Sequence, residues 1–491
     1  MSTENQIPGP VRVRFAPSPT GFLHVGGART AIYNDLLRQS AGGAFILRIE
    51  DTDKERSDEA MTRQIQAALA WIGTAWDEGP FLQSERLPRH TERAGELLAA
   101  GKAYRCFCTP DELAAQRAEA EKRGAAFRYP RTCLKLAPEE SAARLAAGDP
   151  FTVRFRMPDQ NIRFRDLVRG DMDFPPEALD DFILLRSDGS PTYHMSVVVD
   201  DIDMAITHVI RGEDHLSNTP KHIPLFQAMG GEVPVFGHLP LILGPDKKRL
   251  SKRTGATSVE EFRAEGILPQ ALYNYLALLG WNPGDDREVM TRQEMVEAFS
   301  VDRLNASPAV FDREKLWWMN SQYMASLTPD EIRPHLESFL EQAGLAGADP
   351  ERLATVLALH QSRARTLKEL AESVAIYFQD RLEYDPAAAA KFLKDPQLPD
   401  LLADLGARWQ ALPAWDKDAL EAELRGLSEK HGLKAGVLIH PTRMALSGAA
   451  GGPPLFDLVE AMGREDTARH FGQFGEFLRA RASRQPHPAP G

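Results

Sequence analysis

The sequence predicts an α/β protein whose N-terminal part contains a parallel sheet and whose C-terminal part is almost entirely helical. Two observations predict this fold class. Residues 11–50 show the order strand, loop, helix, strand, which is a βαβ unit of the usual size. From about residue 258 onward, helical patterns dominate. A chain of 491 residues has room for about three or four domains, each with its own core.

The βαβ unit is defined by its apolar pattern. Apolar and basic residues alternate over residues 11–15, which predicts a strand. Spacings of 3 and 4 among apolar residues from Ala28 onward predict a helix, and Gly42 and Gly43 end it. The short apolar run over residues 45–49 predicts a second strand, buried on both faces.

The rest of the chain alternates between helical and strand-like stretches. Residues 86–124 have a helical pattern that is interrupted around residues 104–109. Five further strands are expected, at residues 152–157, 161–167, 182–185, 197–199 and 208–210. Helices are expected at residues 268–280 and 311–324, and Pro and Gly clusters at 328–333, 345–350 and 395–399 indicate boundaries between helical subdomains.

Composition excludes several classes of protein. Lys and Arg number 58 and Asp and Glu 70, for a net charge of −12, so a uniformly basic nucleic-acid coat protein is excluded. Three cysteines exclude a disulfide scaffold and fit a reducing cytosol. No run approaches the ~20 apolar residues of a membrane helix, and residues 1–10 lack the apolar core of a secretory signal. Residues 482–491 have the composition of a disordered tail.

The first candidate site motif is PSPTGFLHVGG at residues 17–27, between a strand and a helix. Its glycines allow the backbone to approach a phosphate, and the start of the helix offers free N–H groups and a positive dipole end. His24 is placed to donate a hydrogen bond to a phosphate oxygen. The alternative is a surface turn in which His24 only caps the helix.

The second candidate motif is DKKRLSKRTG at residues 246–255, with five cations against one carboxylate. Such a loop suits a polyphosphate and can stabilise the charge that develops as a phosphoryl bond breaks. The alternative is a solvated basic loop, the more common explanation of an isolated run of charge.

Together, in this order, the two motifs resemble the HIGH and KMSKS signatures of the class I aminoacyl-tRNA synthetases. The matching segments are HVGG at residues 24–27 and RLSKR at 249–253. Further segments resemble the bacterial-type glutamyl-tRNA synthetase family: RFAPSPTG at 14–21, RIEDTD at 48–53, TYH at 192–194, VDD at 199–201, RGEDH at 211–215 and FDREKL at 311–316. The helical C-terminal part is where that family has its anticodon-binding region.

The resemblance implies an α/β Rossmann-type parallel-sheet catalytic domain with an inserted α/β domain, followed by a mostly α-helical C-terminal anticodon-binding region. Five domains are expected. They are the first half of the catalytic domain (1–107), an inserted acceptor-end-binding domain (108–200), the second half with the KMSKS-like loop (201–255), a helical stem-contact domain (256–325) and the anticodon-binding region with its tail (326–491).

The reaction that this resemblance implies has two steps. The glutamate α-carboxylate attacks the α-phosphorus of ATP, giving glutamyl-adenylate and pyrophosphate. The acyl group then passes to the 3′-terminal adenosine of tRNA(Glu), and AMP is released. Attack by an ionised carboxylate needs no protein nucleophile, so positioning and charge stabilisation should supply most of the rate. ATP would bind with Mg²⁺, held mainly by phosphates and water.

The resemblance also assigns site residues. The ATP phosphates are expected to contact His24, Gly26, Gly27 and Lys252, and the catalytic loop to include Arg249 and Ser251. Glutamate is expected to bind Arg14, Ser18, Glu50, Tyr193 and Arg211, with the arginines on its carboxylates and Glu50 on its ammonium group. For Arg14 and Glu50 the alternative is a structural salt bridge between neighbouring strands.

Two further groups of residues follow from the resemblance. Arg363, and with it Arg365, lies in a segment that resembles the one whose arginine reads an anticodon base; the alternative is a surface arginine.

Cys106, Cys108, Tyr129 and Cys133 reproduce a C-x-C…Y-x-x-x-C pattern that binds a structural zinc in some members; the alternative is three buried thiols. We expect a cytoplasmic monomer with tRNA(Glu), L-glutamate and ATP as partners, and neither membrane nor DNA.

Four alternatives compete with this hypothesis. A glutaminyl-tRNA synthetase shares the catalytic domain, but its anticodon region is usually a β-barrel, whereas residues 326–480 have helical patterns. A short paralogue that glutamylates a tRNA base lacks an anticodon domain, so the length of this chain argues against it. Another adenylating Rossmann enzyme, which acts on a small acid without RNA, would leave residues 150–324 and the C-terminal region without an evident purpose. A non-catalytic RNA-binding relative need not keep His24, Lys252, Arg14 and Arg211. The sequence leaves open whether tRNA(Gln) is also a substrate.

Overall fold

The computed structural model describes residues 10–52, 58–124, 127–250 and 256–484. The chain divides into two compact units. The first consists of Met1–Phe262 and Leu272–Asp312, and the second of Arg263–Ala271 and Arg313–Gly491. The finer division into five domains stays a prediction.

The described residues form strands and helices in the following order. The strands are β1 (Arg12–Phe15), β2 (Ala44–Ile49), β3 (Glu78–Leu82), β4 (Ala103–Cys106), β5 (Thr152–Phe155), β6 (Ile162–Asp166), β7 (Gly170–Phe174), β8 (Ile183–Leu185), β9 (His208–Gly212), β10 (Val235–Leu239), β11 (Ile242–Leu243) and β12 (Ala309–Val310). Helices α1 to α10 are Val25–Ala41, Glu59–Trp71, Leu87–Ala99, Pro110–Lys122, Pro138–Ala146, Tyr193–Asp203, Thr219–Ala228, Val259–Ala264, Pro269–Leu278 and Arg292–Ala298. Helices α11 to α20 are Arg313–Ser326, Pro329–Gln342, Pro350–His360, Leu367–Ala375, Pro386–Phe392, Leu398–Gln410, Lys417–Lys430, Gly436–Ser447, Leu455–Met462 and Arg464–Arg484.

The predicted βαβ unit is confirmed. Strand β1 pairs in parallel with β2, and β2 pairs in parallel with β3. Gly42 caps the C-terminus of helix α1, and its φ of 69° is in the left-handed region that glycine adopts without strain. A Cβ on Gly43 would lie 2.0 Å from the carbonyl oxygen of Val11, so only glycine allows the chain to pass this close to the start of β1.

A second parallel group continues the sheet beside β1. Strands β9 and β10 are parallel, β10 pairs with β6, and β7 is antiparallel to β6. The backbone amide of Thr207, next to β9, donates to the carbonyl of Arg12 at 2.9 Å, which places β9 beside β1. The carboxyl ends of β1 and β9 therefore meet at one edge, where ligands bind in open α/β sheets.

The segment between the two parallel groups contains an antiparallel sheet of β4, β5 and β8. The strands expected near residues 152–157, 161–167, 182–185 and 208–210 are confirmed. The strand expected at residues 197–199 is wrong, because these valines lie in helix α6, which packs against α3 and α7. All three are fully buried, and a helix buried on several sides shows the same unbroken apolar run as a buried strand.

The second unit is helical throughout its described residues, as predicted for residues 326–480. Thr328 and Glu331 form a reciprocal capping box at the start of α12. Helix α20 continues to Arg484, so the first three residues of the expected disordered tail are helical, and residues 485–491 lie outside the described part. None of the helices in the described ranges has the length and hydropathy to cross a membrane.

Candidate active site

A cavity of about 310 Å³ lies in the first unit, at the carboxyl ends of β1 and β9. Its walls include most of the site residues that the resemblance selected: Arg14, His24, Gly26, Gly27, Glu50, Tyr193, Arg211 and Arg249. Ser18 is exposed in the loop after β1 and does not line the cavity. Ser251 and Lys252 lie outside the described residues.

The N-terminus of helix α1 forms one wall. His24 caps this helix, and its Nδ1 accepts a hydrogen bond from the backbone N–H of Gly26 at 3.2 Å. The capping alternative is thus present in the structure, and it coexists with the position of His24 on the cavity wall. Because the first N–H groups of a helix point outward at its positive end, this wall suits an anionic group.

The chain that follows the basic loop returns to this wall. The backbone N–H of Val25 donates to the carbonyl of Thr257 at 2.9 Å, and that of Val259 donates to Leu23 at 3.0 Å. On the other side of the loop, Arg249 and Leu250 line the cavity. The start of the KMSKS-like segment therefore lines the same cavity as the first motif, and the chain after the segment is bonded to the helix that forms one wall of this cavity.

Arg14 is held by a carboxylate from helix α6. Its Nε and Nη2 donate to Asp201 at 3.3 and 3.4 Å, and Arg48 donates to Asp201 at 2.6 Å. Glu50 lies 3.5 Å from Arg48, and its side chain is 10% exposed. The expected alternative, a salt bridge between Arg14 and Glu50, is thus replaced by pairs of Arg14 with Asp201 and of Arg48 with Glu50.

The pKa of Glu50 is raised from the ordinary value for glutamic acid. Burial is the main cause, and the positive charges of Arg48 and Arg14 act against it. The carboxylate of Glu50 is therefore held in a place where water cannot fully solvate it, and a cationic ligand would stabilise its ionised form.

Arg211 is a buried cation among neutral groups. It donates to Tyr193 Oη at 3.3 Å, to the carbonyl of His215 at 3.3 Å, to Thr219 Oγ1 at 2.8 Å and to His238 Nε2 at 3.1 Å. No carboxylate of the described residues forms an ion pair with it. Burial lowers its pKa, and a buried cation of this kind favours an anionic ligand.

Tyr193 stands between Arg211 and His215. Its hydroxyl lies 3.0 Å from His215 Nδ1. Burial raises the pKa of Tyr193 to about 12 and lowers that of His215 to about 4. Both side chains are therefore neutral near pH 7, which leaves Arg211 as the dominant charge on this wall.

The three cysteines converge with Tyr129. Their sulfur atoms lie within 4.8 Å of one another, and Cys108 Sγ is 3.6 Å from Cys133 Sγ. The Tyr129 oxygen is 3.2 Å from Cys106 Sγ and 3.5 Å from Cys108 Sγ. A tetrahedral zinc with Zn–S bonds of ~2.3 Å requires ligand separations of about 3.8 Å. This donor set therefore fits zinc.

The second unit contains the two arginines expected to bind tRNA. Arg363 lines a cavity of about 490 Å³, together with His360. Arg365 lies 3.4 Å from Glu314 and 3.5 Å from Glu369. The structure therefore places Arg363 on a cavity wall and Arg365 in surface ion pairs.

Three residues beside the site were missed from the sequence. Asp201 lies in the VDD segment, but nothing in the sequence shows that it contacts Arg14. His238 and Asp166 carry no motif of their own, and only the pairing of their strands brings them to Arg211. All three side chains are almost completely buried, and a buried charged residue becomes recognisable only once the fold is known.

Comparison with known proteins identifies the family. Residues 10–318 match the catalytic domain of tRNA synthetases class I (E and Q), and residues 330–471 match an anticodon binding domain. A glutamate–tRNA ligase 2 of Koribacter versatilis is 46% identical over 94% of this chain and 97% of its own length. A glutamate–tRNA ligase of Geobacter sulfurreducens is 46% identical over 95% of this chain and 99% of its own.

A solved structure agrees with these relatives. The crystal structure of a glutamate tRNA ligase from Elizabethkingia meningosepticum, in complex with its amino acid, superimposes with a TM-score of 0.87. It is 35% identical and covers 96% of this chain and 100% of its own. The class I fold, with a parallel-sheet catalytic part and a helical anticodon part, is therefore confirmed, and the chain belongs to the glutamate–tRNA ligase family of class I tRNA synthetases.

Proposed function

We propose that this protein is a glutamate–tRNA ligase that activates L-glutamate with ATP and transfers it to the 3′-terminal adenosine of tRNA(Glu). The observation that supports this most directly is the cavity of the first unit. Two buried arginines and a partly buried carboxylate line it, beside a helix N-terminus and the flank of a basic loop. These charges complement an amino acid with two carboxylates and one ammonium group, next to a polyphosphate.

Glutamate lies between Arg14, Arg211 and Glu50. The arginines bind its two carboxylates, and Glu50 binds its ammonium group. Arg211 has only neutral hydrogen-bond partners among the described residues. A carboxylate of the ligand therefore supplies the negative charge that balances the guanidinium. Glutamine has no second carboxylate and would leave a buried arginine unneutralised, which disfavours it.

ATP lies at the N-terminus of α1. The N–H groups near Gly26 and Gly27 and the His24 ring face its phosphates, and Lys252 and Arg249 stabilise the negative charge that develops as pyrophosphate leaves. Mg²⁺ accompanies ATP and is bound by phosphate oxygens and water. The activating step joins a carboxylate oxygen of glutamate to the α-phosphorus and breaks its bond to the leaving pyrophosphate.

The remaining assignments concern RNA and zinc. Arg363 contacts an anticodon base, since it lies on a cavity wall and no ion pair of the described residues occupies it. Cys106, Cys108, Tyr129 and Cys133 hold a structural zinc, which would cross-link the insertion. The protein acts as a monomer in the cytoplasm, where its tRNA substrate is found.

Glutamate-dependent ATP–pyrophosphate exchange, measured with and without bulk tRNA, tests the proposed function. We expect exchange only when tRNA is present, with glutamate far more effective than glutamine. Exchange without any tRNA would indicate an adenylating enzyme of another kind. Absence of exchange with either amino acid, with tRNA present, would contradict the proposal and favour a non-catalytic RNA-binding protein. Charging of separately purified tRNA(Glu) and tRNA(Gln) then defines the tRNA substrate.

A further inference from the structure

The sheet beside the cavity carries a chain of three polar side chains on neighbouring strands. Asp166 ends β6, His238 lies in β10 and Arg211 lies in β9, and these strands are adjacent in the order β6, β10, β9. His238 is directly opposite Arg211 in the parallel register. All three residues are almost completely buried, so their contacts are shielded from water.

The hydrogen bonds among Asp166, His238 and Arg211 are compatible with only one placement of the proton on the His238 ring. Asp166 Oδ1 accepts from the backbone N–H groups of Val168 and Arg169 at 2.9 Å and of His238 at 3.1 Å. Asp166 Oδ2 lies 2.6 Å from His238 Nδ1. Three backbone N–H groups donate to this carboxylate, and although burial raises the pKa of Asp166, the hydrogen bonds that it accepts lower the pKa overall, so the carboxylate is ionised and can only accept. His238 Nδ1 is therefore the protonated nitrogen of the ring.

The opposite side of the ring faces Arg211. Arginine can only donate, and Arg211 Nε points at His238 Nε2 at 3.1 Å. His238 is therefore the neutral tautomer with its proton on Nδ1 and its acceptor on Nε2. Burial, which lowers the pKa of His238, is consistent with the neutral ring. Thr219 completes the arrangement: its Oγ1 accepts from Arg211 at 2.8 Å and lies 3.0 Å from His238 Nε2.

We propose that His238, with its tautomer fixed by Asp166, is a positioning residue that orients the Arg211 guanidinium toward a carboxylate of glutamate. The neutral ring holds Nε of Arg211 without neutralising the guanidinium charge, whereas a carboxylate at the same place would form an ion pair with it. The arrangement thus fixes the direction of the Arg211 guanidinium and leaves its positive charge available to a carboxylate of the ligand. This inference rests on the proposed function, in which Arg211 binds glutamate.

Two substitutions disturb the pair in different ways. Asp166→Asn keeps the shape but can place an N–H opposite Nδ1, which moves the ring proton to Nε2 and directs it at Arg211. His238→Leu removes the acceptor. His238→Gln should rescue, because a Gln side chain offers an oxygen to Arg211 and an N–H to Asp166. His90→Gln is the matched control, since His90 Nε2 lies 2.8 Å from Asp200 in an equally buried pair without contact to Arg211.

Full-length variants are compared by tRNA-dependent ATP–pyrophosphate exchange at varied glutamate and varied ATP, with Arg211→Ala as reference. We expect Asp166→Asn and His238→Leu to raise the glutamate KM roughly tenfold or more, with the ATP KM almost unchanged. His238→Gln should recover most of the affinity, and His90→Gln should keep the wild-type glutamate KM. Thermal unfolding of each variant shows whether it is folded.

Three results would overturn the inference. The first is a folded Asp166→Asn protein with a wild-type glutamate KM. The second is a loss of both glutamate and ATP use in Asp166→Asn and His238→Leu that His90→Gln reproduces. A pair that only stabilises the fold would cause such a general loss. In both cases Arg211→Ala still impairs glutamate use, so the proposed function stands. The third is an Arg211→Ala protein with unchanged glutamate use, which would refute the assignment of Arg211 itself.

Discussion

The backbone amide of Val25 donates a hydrogen bond of 2.9 Å to the carbonyl oxygen of Thr257. This bond joins the N-terminus of helix α1 to the chain that leaves the KMSKS-like loop. The two motifs that we propose to bind ATP are far apart in the sequence, and the short β-like pairing around Val25 and Thr257 holds them together at the cavity. The N-terminus of α1 and the chain that leaves the basic loop are therefore linked through the backbone.

Lys252→Ala should slow adenylate formation by roughly a hundredfold, because it removes a cation from the phosphates where charge develops. The measurement is the single-turnover rate of glutamyl-adenylate formation with saturating ATP, glutamate and tRNA. Lys248→Ala is the control, since it removes an exposed cation from the same loop and should retain most of the rate. A wild-type rate for Lys252→Ala would contradict the assigned role.

Glutamate affinity should fall on acidification at a pH above the ordinary pKa of a glutamic acid. The pKa of Glu50 is raised by burial, so Glu50 becomes protonated, and loses its attraction for the substrate ammonium, sooner than an exposed carboxylate. We expect the glutamate KM to rise as the pH falls, and this rise should begin above the pH range in which an exposed glutamic acid is protonated. Glu50→Gln should have a high KM that no longer depends on pH in this range, and a wild-type profile for this variant would rule out the role of Glu50.

Asp201→Asn should destabilise the first unit and weaken glutamate binding together. Asp201 is the shared carboxylate of Arg14 and Arg48, and its loss would leave two buried cations with less compensation, at a cost of about 3 kcal/mol. Asp203→Asn is the control, since that carboxylate pairs with the more exposed Arg86 and Arg89 and should cost under about 1 kcal/mol. Thermal unfolding and the glutamate KM are measured. Equal effects of the two substitutions would contradict this interpretation of Asp201.

Cys133→Ser should lower the zinc content of the purified protein and its thermal stability, because the cysteine cluster would lose one thiolate ligand. Zinc per chain is measured by atomic emission after removal of free metal, beside the unfolding temperature with and without a chelator. Tyr129→Phe tests the fourth ligand and should weaken zinc binding less than Cys133→Ser. A wild-type protein that contains no zinc when purified from zinc-supplemented medium would indicate three thiols without a metal.

Arg363→Ala should raise the KM for tRNA in aminoacylation roughly tenfold, because a guanidinium that stacks on or bonds to a splayed base is lost. Arg365→Ala should have a smaller effect, since Arg365 pairs with Glu314 and Glu369. The glutamate and ATP KM values should stay unchanged in both variants. Equal KM values for tRNA in the two variants would show that Arg363 contributes no more to tRNA binding than Arg365 does.

The sequence was sufficient to predict the elements with clear periodicity or clear endings. The βαβ unit was predicted because each of its patterns indicates one structure. Alternating apolar and basic residues indicate a strand, apolar residues at spacings of 3 and 4 indicate a helix, and two glycines indicate the end of that helix. The stretch 197–199 was assigned to the wrong class because apolar runs buried on all sides lose their periodicity. The second unit was recognised as helical because its helices are exposed on one face and keep an amphipathic pattern.

The candidate site was predictable only where motifs resemble the family. Those motifs identified most of the residues that line the cavity, but not the contacts that orient them. Asp201 reaches Arg14 across 187 positions of the chain, and Asp166 reaches His238 across 72. Contacts of this range depend on strand order and register, which no local pattern specifies.

The amide of Thr207 that bonds to Arg12 has a consequence for how the protein is made. Arg14 emerges from the ribosome early, whereas Arg211 and His238 emerge only after the whole insertion has been synthesised. The cavity that Arg14 and Arg211 line is therefore completed late, when β9 docks beside β1. Because closing a loop becomes only slowly more costly as it lengthens, the insertion can change in size during evolution without moving the two arginines apart.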